Sequence, residues 1–258
     1  MSESPESSTG SFAFRLATFL VLFTVGAAGF SSLIWQRLYG EAQTNPNVNA
    51  TATASPLPVS SPLVNDNINR LTSEPYVGDL SIFEDPKRDE NLQINRVMDI
   101  LGIKSGLNVA DIGAGSGWFS VRAARRVGAK GTVYADEINQ DYLNYINERA
   151  KKENLANIKT VLGKEDDPNL PANSLDAVLI LKTYHEIQQP VRLLKNLQKS
   201  LHSNARIGII DRNGKGDDHG LNRDVVIQEA GQAGFKLIES YDFVKPDGMD
   251  YFLVFQTE

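Results

Sequence analysis

The 258-residue chain has no cysteine, three histidines and three methionines. Without cysteine there are no disulfides, cysteine nucleophiles, zinc–thiolate sites or lipid anchor on an N-terminal cysteine. The absence does not select a redox compartment. Three histidines leave little material for a multi-histidine metal site, and no metal is expected. A basic excess is also missing. Lys and Arg number 26 against 32 Asp and Glu, for a net charge of -6. That balance argues against a protein that coats nucleic acid by bulk charge, and no nucleic-acid partner is expected. With 41% hydrophobic and 22% charged residues, most of the chain should be globular, with room for one large domain or two small ones.

Charge is absent from Leu16 to Gln36. The run Leu16 to Trp35 would span about 30 Å as a helix, the thickness of a bilayer core. Arg15 and Arg37 bracket it, and Trp35 and Tyr39 sit where interfacial aromatics belong. A membrane anchor over 16–36 is the preferred reading. The alternative is a signal peptide, with Leu16 to Val25 as its apolar core and Gly26, Ala27, Ala28 and Gly29 as its cleavage region. Ala42 to Asn65 is uncharged, polar and proline-bearing, so it buries too little apolar surface to offset ordering. The expected organisation is a tail (1–15), the anchor (16–36), a flexible linker (37–70) and one domain (71–258).

That domain alternates strand and helix periods. Ile94, Val97, Met98 and Leu101 follow helical spacing. Asn108 to Ile112 reads as a strand, Trp118 to Val127 as a helix, and Thr132 to Asp136 as the second strand. Asn139 is expected to cap a helix reaching about Glu153. Ile158 to Leu162, Leu175 to Lys182 and Ala205 to Asp211 are the next strands. Val191, Leu194, Leu197 and Leu201 read as one helical face, and a further helix runs from Asn222 to Ala233. Two last strands, from Lys236 and from Asp250, flank the turn Lys245-Pro246-Asp247-Gly248. The fold class is α/β: a doubly wound, Rossmann-like sheet of seven strands, mostly parallel, with helices on both faces and an antiparallel C-terminal hairpin at its edge.

The chemistry centres on Val109-Ala110-Asp111-Ile112-Gly113-Ala114-Gly115-Ser116-Gly117-Trp118. A strand enters a glycine turn and a helix starts behind it. Glycines let a ligand approach the backbone, and the helix start offers free N–H groups. The dinucleotide fingerprint G-x-G-x-x-G would need glycine at 118, where the chain has Trp. The spacing is G-x-G-x-G, with an acid two residues ahead. This resembles motif I of the class I S-adenosylmethionine-dependent methyltransferases. The order of segments from residue 75 onward also resembles a group of predicted methyltransferases of unassigned substrate.

The resemblance implies S-adenosylmethionine as cofactor. Asp111 would hold its ammonium, while Gly113, Gly115 and Gly117 form the cradle. An acid at the end of the next strand would hold the ribose hydroxyls; the family pattern selects Glu137, with Asp136 second. Glu165 or Asp166 would meet the adenine amino group. The segment Leu181-Lys182-Thr183-Tyr184-His185-Glu186-Ile187 would lie beside the sulfonium. Lys182 joins the cofactor-binding set there, and His185 is the candidate base. Asp211, Arg212 and His219 are weaker catalytic candidates, and Phe83, Arg88 and Asp89 are candidates for a lid.

That segment resembles those of small-molecule, quinone and sterol methyltransferases, which implies a small-molecule or lipid-like acceptor. Family likeness also places the domain on the cytoplasmic side, where the cofactor is made. Two other functions stay open: a cofactor-binding protein without turnover and a nicotinamide-dependent oxidoreductase. Oligomeric state is not legible.

Overall fold

The computed structural model describes residues 68–74, 76–215 and 219–258. The anchor expected at 16–36 lies outside them. Among the described residues no helix is long and apolar enough to cross a membrane.

Two short helices, α1 (Arg88–Asn91) and α2 (Ile94–Ile100), precede the sheet. Then come β1 (Asn108–Ile112), α3 (Trp118–Val127), β2 (Thr132–Glu137), α4 (Gln140–Lys152), β3 (Ile158–Leu162) and β4 (Leu175–Leu181). The chain closes with α5 (Pro190–Gln198), β5 (Leu201–Arg212), α6 (Arg223–Gln232), β6 (Phe235–Tyr241) and β7 (Asp250–Thr257). The strand order is β3-β2-β1-β4-β5-β7-β6. The first five strands in that order pair in parallel, and β7 lies antiparallel to both β5 and β6. This is the seven-stranded mixed sheet expected from the sequence.

The alternation of side chains along each strand divides the core between the two faces. Val109, Ala177, Leu179 and Ile210 pack with Trp118, Phe119 and Val127 of α3 and with Val97 and Met98 of α2. Ala110, Ile112, Val178, Ile180, Ile207 and Ile209 pack with Val191, Leu194 and Leu197 of α5 and Val226 of α6. Asn139 caps α4 by accepting the Asp141 N–H at 2.8 Å, and Pro190 occupies the first turn of α5.

Two expected boundaries move. Leu201 was read as the last residue of a helical face, but it opens β5 and drops into the same core cluster. Lys182 was placed in β4; it lies one residue beyond it, with φ of 57°. Arg70, the last residue of the expected linker, is bonded into the domain. Its backbone N–H donates to Gln188 at 2.8 Å, and its guanidinium holds both oxygens of buried Glu229, at 2.6 and 2.9 Å. Neighbouring strands β1 and β4 leave the sheet toward opposite ends of the strand order. The crevice at their carboxyl ends is where doubly wound sheets bind ligands.

Candidate active site

A cavity of about 700 Å³ opens at that crevice. Its floor is the turn from β1 to α3. Gly113, Gly115 and Gly117 all adopt left-handed backbone, with φ of 67°, 55° and 74°. A Cβ on Gly113 would overlap the Thr183 side chain, whereas one on Gly115 would meet nothing within 4 Å. The space over Gly115 belongs to the cavity, so the glycine there serves whatever enters it.

Three buried carboxyls line this floor: Asp111, Asp136 and Glu137. Asp111 Oδ2 accepts from Ser120 Oγ at 2.6 Å. Burial pushes its pKa up to about 6, against the pull of Ser120 and of the Arg88 charge. Glu137 Oε2 accepts the Gly115 N–H at 3.0 Å, while Oε1 accepts those of Ile138 and Asn139 at 2.9 and 3.2 Å. Burial still raises its pKa. Asp136 faces Gly163, and its Oδ1 is buried without a hydrogen-bond partner. Burial raises this carboxyl well above its ordinary value, and the neighbouring Glu137 charge adds to the shift.

Arg88 is the half-buried cation at this end. It donates to the Phe83 carbonyl at 2.8 Å, and its guanidinium stands 4.4 Å from the centre of the Trp118 ring, with Arg122 at 3.9 Å. Such stacking fixes a guanidinium while leaving N–H donors available.

The other end is built by the segment after β4. His185 donates its backbone N–H to Asp211 Oδ2 at 3.0 Å, and its Nδ1 lies 2.9 Å from both Asp211 oxygens. Asp211 is fully buried on β5 and accepts the Arg212 N–H at 2.8 Å. Nδ1 is thus the ring nitrogen turned to Asp211, and Nε2 lies on the Glu186 side, 3.5 Å from Oε1. Glu186 accepts the Ser73 N–H and Oγ–H at 2.7 and 2.8 Å. Burial pushes the Glu186 carboxyl up, but the two Ser73 bonds and the nearby histidines outweigh it and lower the pKa. Lys182 lines the cavity and pairs with buried Asp250.

Of the residues expected at the site, Asp111, Gly113, Gly115, Asp136, Glu137, Glu165, Lys182 and His185 line the cavity. Gly117 supports it from beneath, against Ile146. Asp166 stands outside the lining. Lys164 and Asp167 close a tight turn on each other's backbone, and the Asp166 carbonyl takes the Asn196 amide at 2.8 Å. Arg88, Phe83 and His219 line the cavity too. Sequence reasoning missed the segment Thr72, Ser73, Glu74 and Tyr76, which borders it. That segment falls at the very start of the expected domain, where no local pattern marks it.

Residues 103–232 match the family profile described as a methyltransferase domain. The chain belongs to the S-adenosylmethionine-dependent methyltransferase family. It is 24% identical over 114 residues to a demethylmenaquinone methyltransferase of Listeria welshimeri, covering 44% of this chain and 48% of that one. The similarity thus spans about half the length of that curated relative. An S-adenosylmethionine-dependent methyltransferase from Aquifex aeolicus shares the fold with a TM-score of 0.64 and 24% identity, over 69% of this chain and 97% of that one. The cyclase SpnF shares it with a TM-score of 0.55 and 13% identity, over 73% and 86%. Fold alone therefore leaves the reaction to be argued from the site.

Proposed function

We propose that this chain transfers a methyl group from S-adenosylmethionine to a small-molecule or lipid-like acceptor. The carboxyl row Asp111, Asp136 and Glu137, facing the open turn at Gly115, carries this reading. A dinucleotide would bring a diphosphate against three acids, while a cofactor with an ammonium and two ribose hydroxyls is complementary to them. The donorless Oδ1 of Asp136 and the free space over Gly115 fit a polar ligand seated there.

In this reading Asp111 binds the ammonium and Arg88 the carboxylate of the amino-acid end. Glu137 binds the ribose hydroxyls with the lone pair that Oε2 keeps free. Glu165, and not Asp166, reaches the adenine side. The cofactor supplies a methyl group on a positively charged sulfur. The protein's own work is to orient the acceptor and exclude water. His185, whose Nδ1 meets Asp211 and which lines the cavity, would bind an acceptor hydroxyl or take its proton.

Exposed Tyr76, Ile82 and Ile138, with Phe83, give the cavity an apolar rim, which suits a lipid-like acceptor. The uncharged run at 16–36 supports a membrane anchor, with the polar, proline-bearing run from Ala42 to Asn65 as its tether and the domain on the side where the cofactor is made. Protease digestion of the domain in intact cells without lysis would count against that orientation.

The test of function is calorimetry with S-adenosylmethionine and NADH, followed by transfer of a labelled methyl group to metabolite and lipid extracts. Cofactor binding with label transfer is expected. NADH binding alone would assign an oxidoreductase. S-adenosylmethionine binding without transfer to any extract would assign a binding protein.

A further inference from the structure

Two of the three histidines meet at the acceptor end of the cavity. His185 Nε2 stands 3.5 Å from Glu186 Oε1, and His219 Nδ1 stands 3.7 Å from the same oxygen. One ligand atom from each residue lies within 4.8 Å of the other two. With Nδ1 of His185 turned to Asp211, Nε2 is the ring nitrogen that faces the Glu186 carboxylate. His219 Nδ1 brings a third ligand atom to the same oxygen. A cation seated between them would be held by all three.

The geometry is close to what an ion needs. Bonds of about 2.0–2.1 Å at tetrahedral angles put ligand atoms roughly 3.3 Å apart. A small turn of the His219 side chain, which is 79% exposed, closes the difference. The surroundings match a metal centre as well. Buried Asp211 orients His185 through its other ring nitrogen, the usual outer partner of a metal-binding histidine. The Ser73 N–H and hydroxyl orient Glu186. Glu186 and Asp211 supply negative charge, while the Lys182 ammonium on the same segment is paired with Asp250. Two imidazoles and one carboxylate, with the remaining positions open to the cavity, suit a divalent transition ion such as zinc.

We propose that His185, Glu186 and His219 bind a divalent transition cation that holds the acceptor's oxygen. The role in transfer rests on the methyltransferase reading above; the ion site does not. The acceptor is then a compound with an acidic hydroxyl, such as a phenol or an enol. Its hydroxyl loses a proton to solvent on binding the ion. The oxygen's electron pair forms the new bond to the methyl carbon as the carbon–sulfur bond breaks. That bond's electron pair stays on sulfur, so the products are a methyl ether and S-adenosylhomocysteine.

The test is calorimetric titration of the full-length, tag-free chain with zinc chloride after chelator treatment, with metal content measured on the same samples. One equivalent should bind with micromolar or tighter affinity. His219→Ala and Glu186→Gln should each weaken it at least tenfold. His202→Ala should leave it unchanged, because His202 pairs with Asp176 and lies outside the cavity lining. The exposed His219 makes its variant a probe that spares the fold. No stoichiometric binding, or equal affinity in His219→Ala, overturns the proposal. S-adenosylmethionine titration of the same samples separates the two readings. Cofactor binding without zinc binding removes the ion site only, and zinc binding without cofactor binding removes the methyltransferase reading.

Discussion

Glu137 and Gly115 are joined across the cavity floor: the last carboxylate of β2 accepts the N–H of the middle glycine at 3.0 Å. The bond ties the end of β2 to the turn behind β1, so the ribose candidate and the cradle move as one unit. It also leaves Glu137 with little spare acceptor capacity, since the N–H groups of Ile138 and Asn139 fill its other oxygen. Glu137→Gln should therefore act on both the turn and the ligand. Its affinity for S-adenosylmethionine should fall by about 10-fold to 150-fold, the equivalent of roughly 1.5–3 kcal/mol. Calorimetry on the folded variant reads it, and an unchanged dissociation constant would remove Glu137 from the binding set.

Gly115→Ala tests the cradle separately. The new methyl group meets no protein atom within 4 Å, so packing is not the cost. Backbone strain at φ of 55° should lower stability by about 1–2 kcal/mol. Cofactor affinity should fall by at least tenfold if the ligand lies over this turn. A variant that melts lower yet binds normally would place the ligand elsewhere.

Asp136 should behave differently from its neighbour. Its carboxyl is buried, lacks a partner for Oδ1 and is raised well above its ordinary pKa by burial. A raised carboxyl contributes stability below its unfolded pKa and loses it as pH rises through the folded value. Asp136→Asn should remove that slope and raise the melting temperature at neutral pH, by the equivalent of about 1 kcal/mol or more. Its effect on cofactor affinity should be smaller than that of Glu137→Gln. The reverse order would make Asp136 the ribose acid.

Asp111 gives the site a pH dependence. Its pKa is pushed up to about 6 from 3.8, so the empty protein should lose stability as pH rises from about 4 to 6. The ionised form is the one that attracts an ammonium. Affinity for S-adenosylmethionine should therefore increase across the same window and level off above it. Asp111→Asn should flatten both profiles. Melting curves and titrations at pH 5, 6 and 7 would show this, and a wild-type affinity independent of pH would exclude an Asp111–ammonium contact.

What the sequence made legible was local. β1, α3 and β3 lie where strand runs, helical spacing and the glycine turn placed them, and Asp111, the glycines and Glu137 belong to one contiguous βαβ unit. Leu201 misled because an apolar residue spaced like a helix face also suits a strand that enters the same core. Glu165 lines the cavity and Asp166 does not, a difference hidden in the sequence because charge in a loop carries no direction until the loop's turn is known. Long-range relationships left no local trace. Ser73 meets Glu186 across 113 positions, and His185 meets Asp211 across 26. Both depend on the strand order, which brings β4 beside β5, and on the segment before α1 bordering the cavity.

The contact between Arg70 and Glu229 turns the last of these relationships into a measurement. Both side chains are largely buried, at 14% and 5% exposure. The guanidinium also donates to the carbonyls of Tyr184 and Ile187, at 3.1 and 3.2 Å. Those carbonyls flank His185 and Glu186, so Arg70 pins the acceptor-side segment to α6. Arg70→Met leaves a carboxylate buried without its cation, and the cost should be about 3–5 kcal/mol. Replacing both partners, as Arg70→Met with Glu229→Leu, removes the stranded charge and should recover much of that loss. Denaturant melts of the single and double variants measure the coupling. Equal losses in Arg70→Met and the double variant would mean that the Tyr184 and Ile187 carbonyls, and not Glu229, are what Arg70 is there to hold.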